Sequence, residues 1–261
     1  LRDRLRLAVD EADGVEDVER AERHDERRQH QLIEAFIDRR LDGLIVVPSS
    51  SRPGALEAEI RRGTPVVVLD LELNTELPHD LVRSDHYGGG AAATRHLIAH
   101  GHRRIAYLGD DPGIFSASGR FRAFTDVMDE HGLEVDDQLV ILGSHPADGW
   151  YPFALELLSR PGLPTAMFTA QNFATMGAVR ALHHLGLQHR IAVVGCDDVD
   201  LGETVDPAIT VVAQHPRDMG LRAAEILFRR IDGDDAPPIR EVIDHPMIVR
   251  GSGEIRPDHN L

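Results

Sequence analysis

The chain has 261 residues, 42% of them hydrophobic, which is enough for two domains of ordinary size with proper cores. Its formal charge is −16 and its basic side chains other than histidine are all arginine, so the chain repels phosphate backbones and is not expected to hold DNA by itself. The single cysteine excludes an internal disulfide. No apolar run approaches the ~18 residues of a membrane span and no signal peptide is recognisable, so the sequence favours a cytoplasmic protein.

Helix and strand patterns alternate along the chain. Apolar runs predict buried parallel strands, and a 3.6-residue period predicts helices between them. Glycines suited to a left-handed cap follow several of the helices, at Gly63, Gly101, Gly132, Gly186 and Gly233. In chain order the predicted elements are helix Val18–Arg40, strand Leu41–Val47, helix Ala55–Gly63, strand Pro65–Leu69, helix Gly88–His100, strand Arg104–Leu108, helices Arg120–His131 and Phe153–Leu158, strand Thr165–Phe168, helix Ala174–Leu185, strands Ile191–Val194 and Ile209–Gln214, and helix Pro216–Ile231. This alternation predicts an α/β fold with doubly wound parallel sheets.

Seven segments carry a resemblance to a known family. In order they are DGLIVVPS (42–49), PVVVLD (65–70), SDHYGGGAAATRHLIAHGHRRIAYLG (84–109), SASGRFRAF (116–124), TAMFTAQNFATMGAVRAL (165–182), HRIAVVGCDD (189–198) and ITVVAQHPRDMGLRAAEILFRRIDG (209–233). Each segment alone is weak, because short strand–helix fragments recur in many folds. Together, in this order, they resemble the LacI/GalR family of bacterial transcription regulators.

The resemblance implies a periplasmic-binding-protein-like fold of type I. Two doubly wound parallel-sheet subdomains are then joined by three crossovers, with a small effector held in the cleft between them. The N-terminal subdomain is expected at residues 1–101 and 214–237, and the C-terminal one at residues 102–213 and 238–255. Family members dimerise along both subdomains, so a homodimer is expected.

The start of the chain departs from the family pattern. Family members begin with a helix-turn-helix headpiece that enters the DNA major groove, followed by a hinge, and neither is recognisable in this sequence. Only one strand–helix unit precedes Asp42, where the family has two, so the first strand of the N-terminal sheet is expected to be absent from this sequence. We therefore expect that additional residues precede Leu1 in the natural protein and that operator DNA is bound through a headpiece outside this sequence.

Two charged residues match the family's effector-binding positions. Arg120 lies in SASGRFRAF, and a guanidinium offers a rigid fork of donors to vicinal hydroxyls or a carboxylate; the alternative is a surface arginine on a helix. Asp197 lies in GCDD at a predicted strand end, where an acceptor-only carboxylate suits sugar hydroxyls; the alternative is a helix N-cap. Cys196, beside it, is expected to be a small buried side chain rather than a nucleophile.

Three further polar residues match the family with departures. Gln171 stands where the family often has Asn or Ser, and Gln214 resembles a glutamine that reaches the effector. Asp70 ends the strand PVVVLD as in the family, but Leu71 replaces the arginine that commonly follows. These changes alter the reach and charge of the expected set, so the identity of the ligand is not carried over.

Two more residues match the family but have a structural alternative. Trp150, in ADGWYP, matches aromatic loop residues that stack on sugars in the family, or it anchors the loop by packing. Asp85 matches an aspartate near the effector, or it caps the helix that follows, which is the interpretation the sequence favours.

Catalysis, cofactors and metals find little support in the sequence. His96, His100 and His102 are close in sequence, but no HExxH, CxxC or acidic cage accompanies them, so no metal site is predicted. A phosphate loop of the Walker type requires lysine, which the chain lacks, and no nucleophile elbow is present. The sequence therefore predicts a non-enzymatic, allosteric repressor core that senses a small polar molecule, with a sugar expected; the alternative is an exported solute-binding protein of the same fold.

Overall fold

A computed structural model describes residues 28–36, 41–143 and 149–258 of the chain. These residues form two units, and the chain passes from one to the other after Ser84, Gln214 and Ile243. The predicted α/β fold with three crossovers is confirmed. Within the described ranges, no helix combines the length and the apolar character needed to cross a membrane.

The secondary structure alternates as the sequence predicts. Residues 28–36 form the described part of helix α1. The elements that follow are β1 (Leu44–Val46), α2 (Ala55–Arg62), β2 (Val66–Leu69), β3 (Asp80–Ser84), α3 (His86–Ala99), β4 (Ile105–Gly109), α4 (Phe115–Glu130), β5 (Val140–Leu142), α5 (Trp150–Leu158), β6 (Ala166–Thr169), α6 (Asn172–Leu185), β7 (Ala192–Cys196), β8 (Thr210–Val212), α7 (Pro216–Ile231), β9 (Arg240–Ile243) and β10 (Met247–Ile248). All five glycines predicted to end helices have a positive φ, which lets the chain leave each helix without a Cβ clash.

The first unit contains a four-stranded parallel sheet in the order β1-β2-β3-β9. Its central strand β2 reads VVVL and is buried on both faces, since Val66 and Val68 pack in one apolar cluster and Val67 packs in another against α7. A continuous apolar run of this kind is typical of a parallel sheet covered by helices on both sides. The helices α1 and α2 cover one face and α7 covers the other.

The second unit contains a six-stranded sheet in the order β10-β8-β7-β6-β4-β5, parallel except for β10. Successive side chains of β4 point to opposite faces, so Tyr107 packs with α3 and α4 while Ala106 and Leu108 pack with α5 and α6. Both faces are therefore covered by a pair of helices, which is the doubly wound arrangement.

The division of the chain differs from the predicted one at two places. The boundary predicted after Gly101 lies after Ser84, because α3 packs on α4 and on strands of the second sheet and so belongs to the second unit. The boundary predicted after residue 237 lies after Ile243, because β9 pairs with β3 in the first sheet. The predicted absence of a first strand and helix falls on residues outside the described ranges.

Candidate functional site

Polar side chains follow four neighbouring strands of the second sheet. Asp110 comes directly after β4 and Asp197 directly after β7, while Gln171 and Gln214 lie two residues beyond the ends of β6 and β8. These four strands are parallel neighbours, so their carboxyl ends meet at one edge of the sheet. In open α/β sheets this edge is where ligands are held.

Arg120 is buried at this edge, with 5% of its surface exposed. Its contacts with the protein are long: Nη1 lies 3.4 Å from His86 Nδ1 and 3.7 Å from Cys196 Sγ, and Nη2 lies 3.4 Å from Ser116 Oγ. Its Nε is buried and has no hydrogen-bond partner among the described residues. The structure therefore contains a buried guanidinium whose donors are only partly used.

The charge of Arg120 is maintained by its neighbours. Burial by itself lowers the pKa of the guanidinium, but neighbouring groups, among them the carboxylate of Asp197, outweigh burial and leave the pKa above its ordinary value. Asp110 acts in the same direction. A permanent cation beside two carboxylates gives this edge both strong donors and strong acceptors.

Close packing of α3 on α4 positions Arg120. A Cβ on Gly90 would lie 3.0 Å from the Arg120 Cα, and a Cβ on Gly119 would lie 3.1 Å from the His86 Cβ. Glycine at both positions lets the two helix backbones approach and brings His86 next to the guanidinium. The Cβ of Ala123 also faces Gly90, so glycine there makes room for this side chain as well.

Two residues of this edge were missed by the sequence analysis. His86 is 3% exposed, and its ring makes edge contacts with Phe115 and His245 at centroid distances of 6.2 and 5.4 Å. Asp110 ends β4 in the same way as Asp197 ends β7. A polar residue directly after an apolar run was the available signal for Asp110, whereas His86 is recognisable only once α3 and α4 are packed.

A second buried polar atom lies behind Arg120. The hydroxyl of Tyr107 is buried without a hydrogen-bond partner among the described residues, and its ring contacts Phe121, Phe124 and Phe168. A Cβ on Gly109 would come within 2.9 Å of this hydroxyl, so glycine is required there. Burial raises the pKa of Tyr107, and the hydroxyl is therefore a neutral donor at physiological pH.

Asp197 and Asp70 share an unusual backbone conformation. Asp197, directly after β7, has a φ of 66°, and Asp70, directly after β2 in the first unit, has a φ of 61°. Aspartate is among the few non-glycine residues that adopt this left-handed region readily. The Asp197 N–H donates to Val212 O at 2.9 Å, and the Ser84 N–H donates to Asp70 Oδ1 at 3.2 Å. Each carboxylate thus stands on a sharp turn at a strand end.

Cys196 is fully buried, as the sequence predicts for a small core side chain. Burial raises the pKa of its thiol to about 12 from an ordinary value of 9.0, although Arg120 acts to lower it. The thiol is therefore protonated at physiological pH and is a weak nucleophile.

We expect the Cys196 thiol to resist a disulfide reagent such as DTNB at pH 8 in the native protein and to react in denaturant. Because its folded pKa lies above its unfolded pKa, the thiol's contribution to stability is fully present below pH 9 and is lost as the pH rises from 9 towards 12. Denaturant unfolding of the native chain and Cys196→Ala should therefore show a difference that changes over this pH range. Rapid labelling of the folded protein would contradict this account.

Two predicted ligand residues cap helices. Asp85 Oδ1 accepts a hydrogen bond from Gly88 N at 2.8 Å at the start of α3, and Gln171 Oε1 accepts one from Ala174 N at 2.8 Å at the start of α6. The capping interpretation of Asp85 is thus supported by its geometry. Gln171 still has an amide group to offer a ligand, since only its oxygen is used in the cap.

Asp85→Ala should lower the free energy of unfolding by about 1 kcal/mol, because the α3 N-cap is lost. Asp85→Asn should keep most of the stability, since asparagine is an equally good cap. Denaturant unfolding measures both. If Asp85→Asn were to keep its stability and lose ligand binding, Asp85 would be a ligand residue as well as a cap.

The remaining predicted residues differ in their placement. Gln214 is half-buried and ends the segment after β8. Trp150 is the first residue of α5 rather than a loop residue, and it is fully buried among apolar side chains of α5 and α6. A Cβ on Gly177 would lie 2.6 Å from the Trp150 Cβ, so the two helices are in close contact there. This placement favours the packing interpretation of Trp150 over stacking on a ligand.

The first unit has a pocket that none of the predicted site residues lines. It has a volume of about 490 Å³ and lies between the described part of α1 and the segment that links β1 to α2. Gln29 lines the pocket. Its Nε2 donates to Val47 O, and its Oε1 accepts from the backbone N–H and the hydroxyl of Ser49. These hydrogen bonds connect α1 to the segment after β1, so the polar groups of Gln29 already have partners within the protein.

Comparisons with known proteins agree with this architecture. Residues 94–253 match the model of a periplasmic binding protein-like domain. The chain is 28% identical over 221 residues to the HTH-type transcriptional repressor PurR of Pasteurella multocida, covering 83% of this chain and 65% of that protein. It is 29% identical over 231 residues to the ribose operon repressor of Escherichia coli K12, covering 87% and 70%. Among solved structures, the complex of the transcriptional regulator CelR with cellobiose has a TM-score of 0.75 and 30% identity, covering 86% of this chain and 70% of that one.

Proposed function

Because the chain belongs to the periplasmic binding protein-like domain family, in the LacI/GalR branch of transcription regulators, we propose that its effector is a small polar molecule, with a sugar expected, bound at the carboxyl edge of the second sheet. The chain spans 65% of the length of PurR from P. multocida, so the activity of the whole protein is part of the proposal.

The partly used guanidinium of Arg120 carries this proposal. A buried donor without a partner costs about 1–3 kcal/mol, and a charged one costs more. Arg120 Nε is such a donor, and the contacts of its two Nη atoms are 3.4 Å or longer. A ligand oxygen that accepts from this group would recover the lost hydrogen bonding.

The mixture of donors and acceptors selects a hydroxyl-rich ligand. A hydroxyl can accept from Arg120 and donate to Asp197, whereas a purely anionic ligand would be repelled by Asp197 and Asp110. The ring of His86 lies next to Arg120, and the ring of Phe115 makes an edge contact with His86, so aromatic surface is available near the guanidinium. The relatives point the same way, since one is named a ribose operon repressor and one structure holds cellobiose. Because one relative is named PurR, purine-like ligands are the second class to be tested.

The regulatory part of the proposal follows from the family. The relatives are transcription regulators rather than enzymes. We propose that effector binding changes the affinity of a homodimer for operator DNA, which a headpiece outside this sequence would contact. Asp70 and Gln214 remain candidate ligand residues, and the prediction that the effector lies between the two subdomains stays a prediction. The relatives named above are repressors and transcriptional regulators by name, which favours the regulator over the exported solute-binding alternative.

A thermal-shift screen tests the proposal. The chain would be heated with monosaccharides, disaccharides, sugar phosphates, polyols, nucleosides and purine bases. A ligand present at a hundred times its Kd stabilises the folded state by about 2.7 kcal/mol, which moves the melting temperature visibly.

The screen has a matched pair of variants. Asp197→Asn keeps a residue that tolerates a φ of 66° but removes the acceptor charge, and it should lose the shift. Asp200→Asn changes an exposed carboxylate in the same loop and should retain the shift. A ligand whose shift survives Asp197→Asn does not bind at the proposed edge, and a chain that responds to none of these classes contradicts a sugar or purine sensor.

A further inference from the structure

Two histidines and a glutamate converge at the far end of α3. His96 and His100 are four residues apart on one helix face, and the centroids of their rings lie 4.3 Å apart. Glu254 reaches them from the C-terminal segment, and its Oε1 lies 2.5 Å from His96 Nε2. One side-chain ligand atom from each of the three residues lies within 4.8 Å of the other two.

The hydrogen bonds of His100 prepare its ring for a cation. Its Nδ1 lies 2.8 Å from the carbonyl oxygen of His96, and a carbonyl only accepts, so Nδ1 carries the hydrogen. The lone pair of a neutral ring is then on Nε2. Metal-binding histidines commonly have this arrangement, in which the other ring nitrogen donates to a carbonyl or carboxylate and fixes the ring.

Glu254 is oriented in a comparable way. Its second oxygen, Oε2, accepts a hydrogen bond from Thr210 Oγ1 at 2.9 Å, while Oε1 is the oxygen directed at His96. The side chains of His96 and Glu254 are 15% and 26% exposed, so the pair is sheltered and still reachable from solvent. A ligand carboxylate held by an outer hydroxyl is typical of a built metal site rather than of a chance surface pair.

We propose that His96, His100 and Glu254 bind one divalent transition-metal ion of the zinc class. Two imidazole nitrogens and one carboxylate oxygen are a ligand set that zinc accepts with water in the fourth position. Around a tetrahedral zinc ion, ligand atoms stand roughly 3.3 Å apart, so atoms that now lie within 4.8 Å of one another would have to shift by about 1.5 Å or less to close the site. The net charge of −16 favours a cation at the surface.

The third histidine of HLIAHGH does not take part. His102 is fully buried, and its two ring nitrogens lie 3.0 Å from Thr165 Oγ1 and 2.8 Å from Ile255 O. Its contact with Ile255 O holds the residue that follows Glu254 in place next to the end of α3, and this keeps Glu254 close to His96. The sequence suggested no metal site because Glu254 lies 158 residues from His96 and is brought there only by folding.

Zinc titration of the tag-free chain, freed of metal by EDTA, tests the site. We expect calorimetry to show one tight equivalent per chain. His100→Ala and Glu254→Gln should each weaken it at least about tenfold. Glutamine keeps the hydrogen bond to Thr210, so Glu254→Gln should fold normally. The matched control is His131→Ala, because His131 Nδ1 also lies 2.9 Å from a carbonyl four residues earlier, on α4, and belongs to no such cluster among the described residues.

Cobalt gives a second readout. Co²⁺ at this site should show the visible absorption bands of a low-symmetry, four- or five-coordinate ion, and Zn²⁺ should displace them. The proposal is overturned if the native chain binds no tight equivalent, or if His131→Ala loses as much affinity as His100→Ala. It is also overturned if Glu254→Gln changes only the pH dependence of stability and leaves zinc binding intact, since His96 and Glu254 would then form an ion pair only.

Discussion

Replacement of Arg120 by methionine is expected to abolish the response to the effector without destabilising the free protein. Charge-assisted hydrogen bonds contribute about 1.5–3 kcal/mol each, so losing two of them should weaken binding at least about a hundredfold. The free energy of unfolding of the ligand-free chain should change little, because removing a buried guanidinium whose Nε has no partner offsets the loss of its attraction to the half-buried Asp197 and Asp110. Calorimetric titration and denaturant unfolding measure the two quantities.

The control lies two residues away on the same helix. Arg122 is exposed, and its guanidinium lies over the Tyr87 ring at 5.0 Å. Arg122→Met should keep the affinity of the native chain and lose at most a few tenths of a kcal/mol of stability, as do most surface changes. A fall in stability for Arg120→Met with unchanged affinity would show that Arg120 is a structural residue.

Trp150→Ala is expected to cause the largest loss of stability in the second unit. The side chain is fully buried between α5 and α6, and truncation of a buried tryptophan costs about 3–5 kcal/mol through lost contacts and the cavity left behind. Trp150→Phe should cost markedly less because much of the cavity stays filled. Thermal and denaturant unfolding followed by circular dichroism provide both values.

Ligand binding separates packing from stacking at this position. If Trp150 is a packing residue, Trp150→Phe should bind the effector with the affinity of the native chain. The chain has one tryptophan, so its fluorescence reports this site alone, and we expect a blue-shifted emission that the effector does not quench. Strong quenching, or a loss of affinity in Trp150→Phe with little loss of stability, would identify Trp150 as a ligand residue.

The sequence predicts most of the elements that carry the site. The buried runs of β2, β4, β6 and β7 are continuous because both faces of a parallel sheet are covered, and such runs are easy to recognise. Arg120 and Asp197 could be selected by the resemblance alone, and the structure adds the reason that Arg120 is buried with an unused donor.

Other elements have no clear signal in the sequence. The strand β3 reads DLVRS, and β9 and β10 are half-exposed at sheet edges, so none of them shows a continuous apolar run. Their pairing depends on the packing of the whole unit, and the pairing of β9 with β3 is the reason that one boundary lies after Ile243 rather than after residue 237. The approach of His86 to Arg120 and of Glu254 to His96 joins residues 34 and 158 positions apart, and neither follows from local pattern.

The most direct test of the account is a crystal structure of the chain with the effector that the thermal-shift screen identifies. We predict a ligand oxygen within hydrogen-bond distance of Arg120 Nε and a ligand hydroxyl on the Asp197 carboxylate, with Trp150 still buried and out of contact. A ligand bound elsewhere, with Arg120 Nε still lacking a partner, would contradict the central claim that this guanidinium binds the effector.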